Sequence, residues 1–415
     1  MPEPFKFIHA ADFHLDRPLR GLAELPGHLK STLVEAPYAA ATRVFDLAIA
    51  ERVDFVLLAG DLVDLERCGP RSVAFLLTQF QRLAEKEIAV YWSTGEVDPF
   101  DRWPSNVELP ENVVVFSSPI VEDVTHRRKE TPIATIFGAG YDPRRIGAAD
   151  FATINGDAWP IALAYGEFDS GSMGSIDIRY WALGGKHRAE KTEKPDCLVA
   201  YPGTPQGRRN REFGPHGCFL CRVDIHGKLR VHQVETDSVR WLPQRLAVDE
   251  NLSLETLRNA LAERALKILT DHPDRTILTN WFLSATGAFN PRLRRQEGID
   301  ELIEWLRDEF GRDAPHCLWT TQLSIDPPSE LPAEWYEEDT ILGEYLRAIG
   351  RYQSDESINV SLHEYLPPNA ETDEFAGVAR VSPARRDVIL RQATLLGIDY
   401  LAGHKTADPV TAERR

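Results

Sequence analysis

The alternation of short apolar runs with helical patterns in the first hundred residues constrains the fold more than any other feature of the sequence. Three continuous apolar runs, Phe5–Ala11, Phe55–Ala59 and Ala89–Ser93, are separated by the segments 37–52 and 71–86, whose apolar residues recur at helical spacing. Continuous apolar strands that alternate with helices are typical of a parallel sheet covered on both faces. We therefore predict βαβ units in this part of the chain.

Further strands and helices follow, and the pattern changes twice along the chain. From about residue 113 it is strand-rich and predicts a second sheet packed on the first. The candidate strands of this stretch are Val113–Phe116, Ile133–Phe137, Ile161–Tyr165, Tyr180–Leu183, Cys197–Tyr201, Cys218–Asp224 and Lys228–Val234. Near residue 240 the pattern becomes that of a compact αβαβ unit, and beyond 328 it is acidic and then helical. The predicted fold class is α/β, with a two-sheet domain over 1–240, a small αβ domain over 241–328 and a helical tail over 329–415.

The charge of the chain limits how it could bind nucleic acid. The net charge is −17, from 47 basic and 64 acidic side chains. This excludes a protein that coats nucleic acid by bulk positive charge, so any phosphate-binding site must be local. The segment 188–230 is the basic exception, and Arg208, Arg209 and Arg211 in it follow a glycine-containing loop. Arginine forks suit phosphate oxygens, so these three are candidate substrate-binding residues, with a solvated basic loop as the alternative of nearly equal weight.

Cysteine content and hydropathy indicate the compartment. Five cysteines are too few, and odd in number, for a disulfide framework. Cys218 and Cys221 lie in a strand-like run with no second cysteine pair, which favours a structural role over a zinc site. No stretch approaches the roughly 18 apolar residues of a membrane-spanning helix, and the first residues lack the pattern of a secretory leader. We expect a cytoplasmic protein without membrane contact.

Acidic and imidazole side chains follow the early strands at the points where these strands end. The residues are Asp12 and His14 after the first strand, Asp61 and Asp64 after the second, Glu96 and Asp98 after the third, and His187 after a later strand. Ligands of open α/β sheets gather at the carboxyl ends of strands, and carboxylates that meet there repel one another unless a cation lies between them. Mixed Asp and His ligation suits manganese, iron or zinc. We therefore predict a shared metal site, with hydrogen-bonded loop anchors and no metal as the alternative.

The order of these motifs resembles that of the calcineurin-like metallophosphoesterases. The motifs are Asp12-x-His14, Gly60-Asp61-x-x-Asp64, Gly95-Glu96-x-Asp98 and Gly184-x-x-His187. Within that family the opening Ile8–Asp16 looks like the SbcD-type DNA repair exonucleases, and closest to the YhaO subgroup, and Tyr201–Gly207 is similar to another loop of the family. The resemblance covers about 5–235. It implies an αββα sandwich and, more weakly, a capping domain for the αβ unit that follows.

The resemblance also implies a two-metal site, usually occupied by manganese. It assigns the first ion to Asp12, His14, His187 and the bridging Asp61, and all four residues are present in this chain. On this basis we expect the first metal position to be the better preserved of the two.

The second metal position departs from the family pattern. Where the family has a bridging asparagine and two further histidines, this chain has Glu96, Tyr165 and Gly185. Glu96 could replace the asparagine as a ligand. Val97 takes the place of the family's catalytic histidine, and a valine cannot transfer a proton. Because two-metal hydrolysis needs both ions, we expect one bound ion rather than two, with manganese as the metal, and weakened or lost catalysis.

Three functions follow as alternatives. The first is a weak nuclease or phosphodiesterase of DNA metabolism, which the resemblance pairs with an SbcC-like or YhaN-like coiled-coil ATPase that docks on the 329–415 tail. The second is a catalytically inactive scaffold or DNA-binding subunit of such a complex. The third is a phosphoesterase of a small phosphorylated substrate, which the negative charge favours. We expect the protein to be a homodimer.

Overall fold

The computed structural model describes residues 3–22, 27–142, 147–152, 158–168, 170–249, 253–286, 296–312, 316–326, 333–355, 358 and 381–401. The chain forms two compact units. The first comprises Met1–Pro243, Lys267–Thr279 and Glu309–Thr321, and the second comprises Gln244–Leu266, Asn280–Asp308 and Gln322–Arg415. The division of the chain at 240 and 328 stays a prediction.

Strands predominate over helices as far as Asp249, and helices predominate in the described residues after it. The strands are β1 (Phe5–Ala10), β2 (Phe55–Ala59), β3 (Ala89–Ser93), β4 (Val113–Phe116), β5 (Glu122–Arg128), β6 (Thr131–Gly138), β7 (Trp159–Tyr165), β8 (Tyr180–Gly184), β9 (Glu190–Glu193), β10 (Leu198–Tyr201), β11 (Gly217–Val223), β12 (Leu229–Glu235), β13 (Val239–Trp241), β14 (Gln244–Asp249), β15 (Thr276–Thr286) and β16 (Leu318–Asp326). The helices are α1 (Lys30–Glu51), α2 (Pro70–Ala84), α3 (Ser170–Met173), α4 (Leu254–Asp271), α5 (Gln296–Phe310), α6 (Ala333–Glu337), α7 (Ile341–Ser354) and α8 (Pro383–Leu401).

The first sheet has the strand order β12-β11-β1-β2-β3-β4. Strands β1 to β4 are parallel, and the β11–β12 hairpin joins them through an antiparallel pairing of β11 with β1. The βαβ prediction is confirmed, and the apolar runs Phe55–Ala59 and Ala89–Ser93 coincide with β2 and β3. Because the parallel strands point the same way, the loops after β1, β2 and β3 meet at one edge of the sheet.

Three strands that the sequence assigned to the second sheet lie in the first sheet instead. Val113–Phe116 is β4 and pairs with β3, and the strands predicted over Cys218–Asp224 and Lys228–Val234 form the hairpin that pairs with β1. The second sheet has the order β5-β6-β7-β8-β10-β9. The assignment was wrong because an apolar run predicts a strand but carries no information about which strand will lie beside it.

The two sheets pack face to face between two outer layers. Side chains alternate along β2, so Phe55 and Leu57 lie in the core between the sheets, whereas Val56 and Leu58 lie in the core beneath α1 and α2. The outer face of the second sheet packs against short helices at Ala148–Phe151 and α3. The predicted αββα arrangement is confirmed.

The cysteine pair is structural, as predicted, and two pairs of adjacent aromatic residues are structural as well. Cys218 and Cys221 are free and fully buried, and they lie in the cores on opposite faces of β11, where they cannot bind one ion together. The Tyr91-Trp92 and Tyr180-Trp181 pairs are buried on strands rather than displayed for base stacking.

The second unit contains the helical tail. Helices α7 and α8 pack together through Leu346 and Ile398, and the Tyr345 hydroxyl donates a hydrogen bond to the Ala393 carbonyl at 2.8 Å. The predicted helical character of the tail is confirmed for α7 and α8. None of the helices that the structure describes has the length and apolar character needed to cross a membrane.

Candidate metal centre

The loops that follow β1 and β2 are joined by backbone hydrogen bonds. The Asp12 N–H donates to the Gly60 carbonyl at 3.0 Å, and the His14 N–H donates to the Asp61 carbonyl at 3.0 Å. The two loops therefore extend the pairing of β1 with β2 beyond the strands. This places the side chains of Asp12, His14 and Asp61 at the same edge of the sheet.

Three of these loop residues have a left-handed backbone. The φ angles are 55° at Asp12, 43° at His14 and 54° at Asp61. For a residue with a Cβ this conformation costs about 1–2 kcal/mol, and such residues cluster at functional sites. The hydrogen bonds between the loops hold this backbone in place. The strain is consistent with side chains that are directed to one point.

Asp12, His14 and His187 converge. One potential ligand atom from each lies within 4.8 Å of the other two. The Nε2 atoms of His14 and His187 are 3.3 Å apart, and the Asp12 carboxylate accepts the Gly185 N–H at 3.0 and 3.2 Å. Burial, followed by the charge of Arg208, holds the pKa of His14 well below its usual range, so this imidazole is neutral and offers a lone pair. One carboxylate and two imidazoles form a donor set that fits manganese, iron or zinc.

A carboxylate that the sequence analysis missed orients His187. The His187 Nδ1 lies 2.9 Å from Glu212 Oε1. Burial alone would raise the pKa of Glu212, but the His187 ring and the Arg208 N–H outweigh it and lower this pKa to about 2. Because the carboxylate is ionised, Nδ1 donates to it and the ring's lone pair lies on Nε2, the atom that faces His14. The only sequence signal for Glu212 is a single acidic residue directly after three arginines.

Asp61 lies beside the converging residues, but both of its oxygens are engaged. Its Oδ2 is 3.6 Å from His14 Nε2 and accepts the Tyr165 hydroxyl at 2.7 Å, while its Oδ1 accepts the Val97 N–H at 3.0 Å. Burial and the Asp61 carboxylate raise the pKa of Tyr165 far above its usual range, so the phenol is protonated. Tyr165 therefore donates a hydrogen bond to the Asp61 oxygen that also faces His14.

The two acidic residues after β3 have different environments. The Glu96 side chain is exposed, and its charge reaches Asp61 and Tyr165, whose pKa values it helps to raise. Glu96 is not part of the cluster that Asp12, His14 and His187 form among the described residues. Asp98 is fully buried and accepts N–H bonds from four donors. These donors are the backbones of Asp61, Leu62 and Gly95 and the indole of Trp92.

The three candidate arginines divide into two classes. Arg208 is 2% exposed, and its Nη2 lies 3.4 and 3.5 Å from the two ring nitrogens of His187. Arg209 and Arg211 are exposed. Sequence reasoning missed Arg17, which donates to the Asp64 carboxylate at 3.3 Å. After burial, Arg208 and His187, the charges of Arg17 and Arg209 also lower the pKa of His14, so the charges of three guanidinium groups act on this candidate ligand.

We expect the Glu212→Gln variant to bind Mn²⁺ about 10–100-fold more weakly than the native chain, because the partner that orients His187 loses its charge. Calorimetric titration with Mn²⁺ measures this, and Glu190→Gln, an exposed glutamate of β9, is the matched control. Unchanged affinity would show that Glu212 does not orient the ligand.

The same variant has a pH signature in the metal-free chain. A carboxyl whose pKa falls from 4.5 to about 2 on folding stabilises the fold above pH 4.5, and this stabilisation is lost as the pH falls through 2. We expect the native chain to exceed the variant by at most about 3 kcal/mol in unfolding free energy at pH 7 and by much less near pH 2. Urea unfolding at the two pH values tests this.

Comparisons with known proteins identify a family model, a related sequence and similar solved structures. Residues 5–157 match the family model described as calcineurin-like phosphoesterase. A Bacillus subtilis (strain 168) protein described as uncharacterized metallophosphoesterase YhaO is 30% identical over 414 residues, which cover 94% of this chain and 98% of that protein. Similar solved structures include TT1561 of Thermus thermophilus, with a TM-score of 0.34, 15% identity and coverage of 55% of this chain and 98% of that one. Another is a dimetal phosphatase from Danio rerio, with a TM-score of 0.36, 8% identity and coverage of 54% and 94%.

Proposed function

Because the chain belongs to the calcineurin-like phosphoesterase family, we propose that it is a YhaO-type protein of DNA metabolism that binds one divalent metal ion and hydrolyses phosphodiesters weakly or not at all. One observation carries the proposal. Asp12, His14 and His187 converge within 4.8 Å, whereas Asp61 accepts a hydrogen bond from Tyr165 at 2.7 Å. These contacts support a single metal position held by Asp12, His14 and His187, with a protonated Tyr165 that competes with a metal ion for Asp61.

Substitutions at the residues around the metal centre explain why, in this proposal, phosphodiester hydrolysis is weak or absent. When bound, a divalent ion supplies Lewis-acid polarisation of a phosphoryl oxygen and lowers the pKa of a coordinated water. Asp12, His14 and His187 would hold it, and Glu212 would fix the tautomer of His187. Val97 offers no proton to a leaving group. Gly185 has no side chain and therefore supplies no metal ligand. Its backbone N–H donates to the Asp12 carboxylate.

The positive charge around the metal centre supports a phosphate-backbone ligand. Arg208 is buried against His187, Arg17 and Arg209 lie near enough to affect His14, and Arg211 extends the same exposed segment. Guanidinium groups bind phosphate oxygens and concentrate nucleic acid locally even on a chain of net charge −17. We include in the proposal manganese as the metal and a cytoplasmic homodimer. A coiled-coil ATPase of the SbcC or YhaN type would dock on the α7–α8 tail.

The test joins metal content with DNA binding. After dialysis against Mn²⁺, elemental analysis should find one ion per chain. Fluorescence anisotropy with an end-labelled oligonucleotide should show binding that weakens with salt, and Arg209→Gln/Arg211→Gln should weaken it about tenfold and lower the salt slope. Lys30→Gln/Lys86→Gln removes two other exposed charges and is the matched control.

Other outcomes would contradict the proposal in different ways. Two bound ions and rapid cleavage of DNA ends would refute the weak-catalysis part. No bound metal would leave a scaffold in which Asp12, His14 and His187 are loop anchors. Metal binding without salt-dependent DNA binding, together with hydrolysis of p-nitrophenyl phosphate, would favour a small phosphorylated substrate instead.

A further inference from the structure

A cleft of about 630 Å³ lies at the end of the first sheet where β1 begins. Its charged lining consists of six cations and two carboxylates. These are Lys6, Arg52, Arg128, Arg222, Lys228 and Arg230, with Asp54 and Asp224. This excess of positive charge stands out in a chain of net charge −17. The volume is in the range of small-molecule sites.

The cleft is separate from the candidate metal centre. Phe5, the first residue of β1, lines the cleft, whereas Asp12 follows the other end of the same strand. At a rise of about 3.3 Å per residue, the two places are about 20 Å apart. The inference drawn from the cleft therefore does not depend on the proposed function.

A row of three cations crosses three neighbouring strands. Lys6 of β1 is in register with Arg222 of β11, and Arg222 is in register with Arg230 of β12. Like charges placed directly opposite one another destabilise a sheet, and in this row the Glu51 carboxylate contacts both Lys6 and Arg222. With strands about 4.8 Å apart, the row extends over about 10 Å. The row places three cationic residues side by side across the sheet.

The carboxylates of the protein neutralise only part of this charge. Lys6 and Arg222 share Glu51, with N–O distances of 3.2 and 2.9 Å. Arg128 pairs with Asp54 and Glu3. The Asp224 carboxylate accepts two backbone N–H groups of the β11–β12 turn.

Three exposed cations are left over. Arg52, Lys228 and Arg230 form no ion pair with any residue in the described part of the chain. They belong to the end of α1, the β11–β12 turn and β12, so they approach the cleft from different elements. Converging cations on separate elements, beside a row of like charges, form a site for an extended polyanion.

We propose that this cleft binds a chain of linked phosphates, carried either by a nucleoside triphosphate or by inorganic polyphosphate. Arg52, Lys228 and Arg230 contact the phosphates directly, and Lys6 and Arg222, which share the single carboxylate of Glu51, extend the positive row beside them. A row about 10 Å long matches several linked phosphates better than one tetrahedral anion. Charge-assisted hydrogen bonds from guanidinium groups provide the affinity.

The test is calorimetric titration of the EDTA-treated full chain, so that bound metal does not contribute. The probes are tripolyphosphate, ATP and inorganic phosphate. We expect tripolyphosphate to bind at least tenfold more tightly than inorganic phosphate. ATP bound as tightly as tripolyphosphate would indicate recognition of the phosphate chain alone, and tighter ATP binding would add a contribution from the nucleoside; both results support the site.

Variants locate the binding. Lys228→Gln/Arg230→Gln should weaken tripolyphosphate about 10–100-fold, and the control Lys30→Gln/Lys86→Gln should not. Arg52→Gly is a second variant that spares the fold, because Arg52 caps α1 with a φ of 53°, where glycine is favoured. Absence of tripolyphosphate binding, or equal binding by the cleft and control variants, would overturn the proposal. A third outcome would also overturn it: the native chain binds a 20-nucleotide oligothymidylate more tightly than tripolyphosphate, and the cleft variant binds this oligonucleotide more weakly. The ligand of the cleft would then be a nucleic-acid backbone.

Discussion

A chain carrying Val97→His and Tyr165→His should bind two manganese ions and hydrolyse a phosphodiester at least about 100-fold faster than the native chain. The first substitution supplies a group that can transfer a proton. The second removes the phenol that donates to Asp61 Oδ2 at 2.7 Å and puts an imidazole in its place. Metal content is measured by elemental analysis, and the rate with bis-p-nitrophenyl phosphate in Mn²⁺.

Gly185 is not replaced in this variant, for reasons of backbone geometry. Gly185 also stands where the family has a histidine, but its φ is 99°, and a side chain there would be strained by about 1–2 kcal/mol. Strain there would also displace the backbone N–H that donates to Asp12, so Gly185 is left unchanged. Tyr165→Phe is the control, because it frees Asp61 without adding a ligand.

The control separates two explanations for the single metal. If Tyr165→Phe alone gains a second ion, the phenol's hydrogen bond is what excludes that ion. If only the double variant gains the second ion, the native chain excludes that ion because it lacks imidazole ligands at these positions. A native rate equal to that of the double variant would contradict weak catalysis, and two ions with no gain in rate would contradict the role given to position 97.

The strands and the metal-binding edge could be predicted because their signals are local. Buried parallel strands read as continuous apolar runs, so β2 and β3 have the predicted limits. The carboxyl ends of such strands meet in space, which predicts that Asp12 and Asp61 lie together. The left-handed backbone at Asp12, His14 and Asp61 has no such signal, because none of the three is glycine.

What the sequence did not predict depends on contacts between distant segments. The β11–β12 hairpin joins β1 across more than 200 residues of chain, so its place in the first sheet could not be read from its own pattern. Glu212 gains its role only by lying against His187. Arg208 and Arg209 are adjacent and chemically identical, yet one is buried at the metal centre and the other is exposed. The charge pattern of the sequence shows that this segment is basic, but it does not show which of its arginines is buried.

Asp98 belongs to one of the candidate metal motifs, but its side chain stabilises the loops instead of joining the converging ligands. We therefore expect its replacement to be among the most destabilising in the chain. Its two carboxylate oxygens accept the backbone N–H groups of Asp61, Leu62 and Gly95, at 3.1, 2.9 and 2.5 Å, and the Trp92 indole N–H at 3.3 Å. The side chain is completely buried, so water cannot replace these bonds. It therefore holds the loop after β2 against the loop after β3.

We expect Asp98→Ala to lower the free energy of unfolding by about 3–5 kcal/mol, because it leaves four donors without acceptors in the interior. The loss should also release Asp61 and so reduce Mn²⁺ binding. Urea unfolding in EDTA measures the first effect and calorimetry the second. Asp101→Ala, an exposed aspartate three residues away, is the control.

If Asp98→Ala does not fold, Asp98→Asn keeps the shape and one acceptor oxygen, and a smaller loss of about 2–3 kcal/mol is expected. An unfolding midpoint equal to that of the control would mean that the four hydrogen bonds do not hold the loops. Full stability with lost metal binding would instead make Asp98 a metal ligand, which the distances to its four N–H donors argue against.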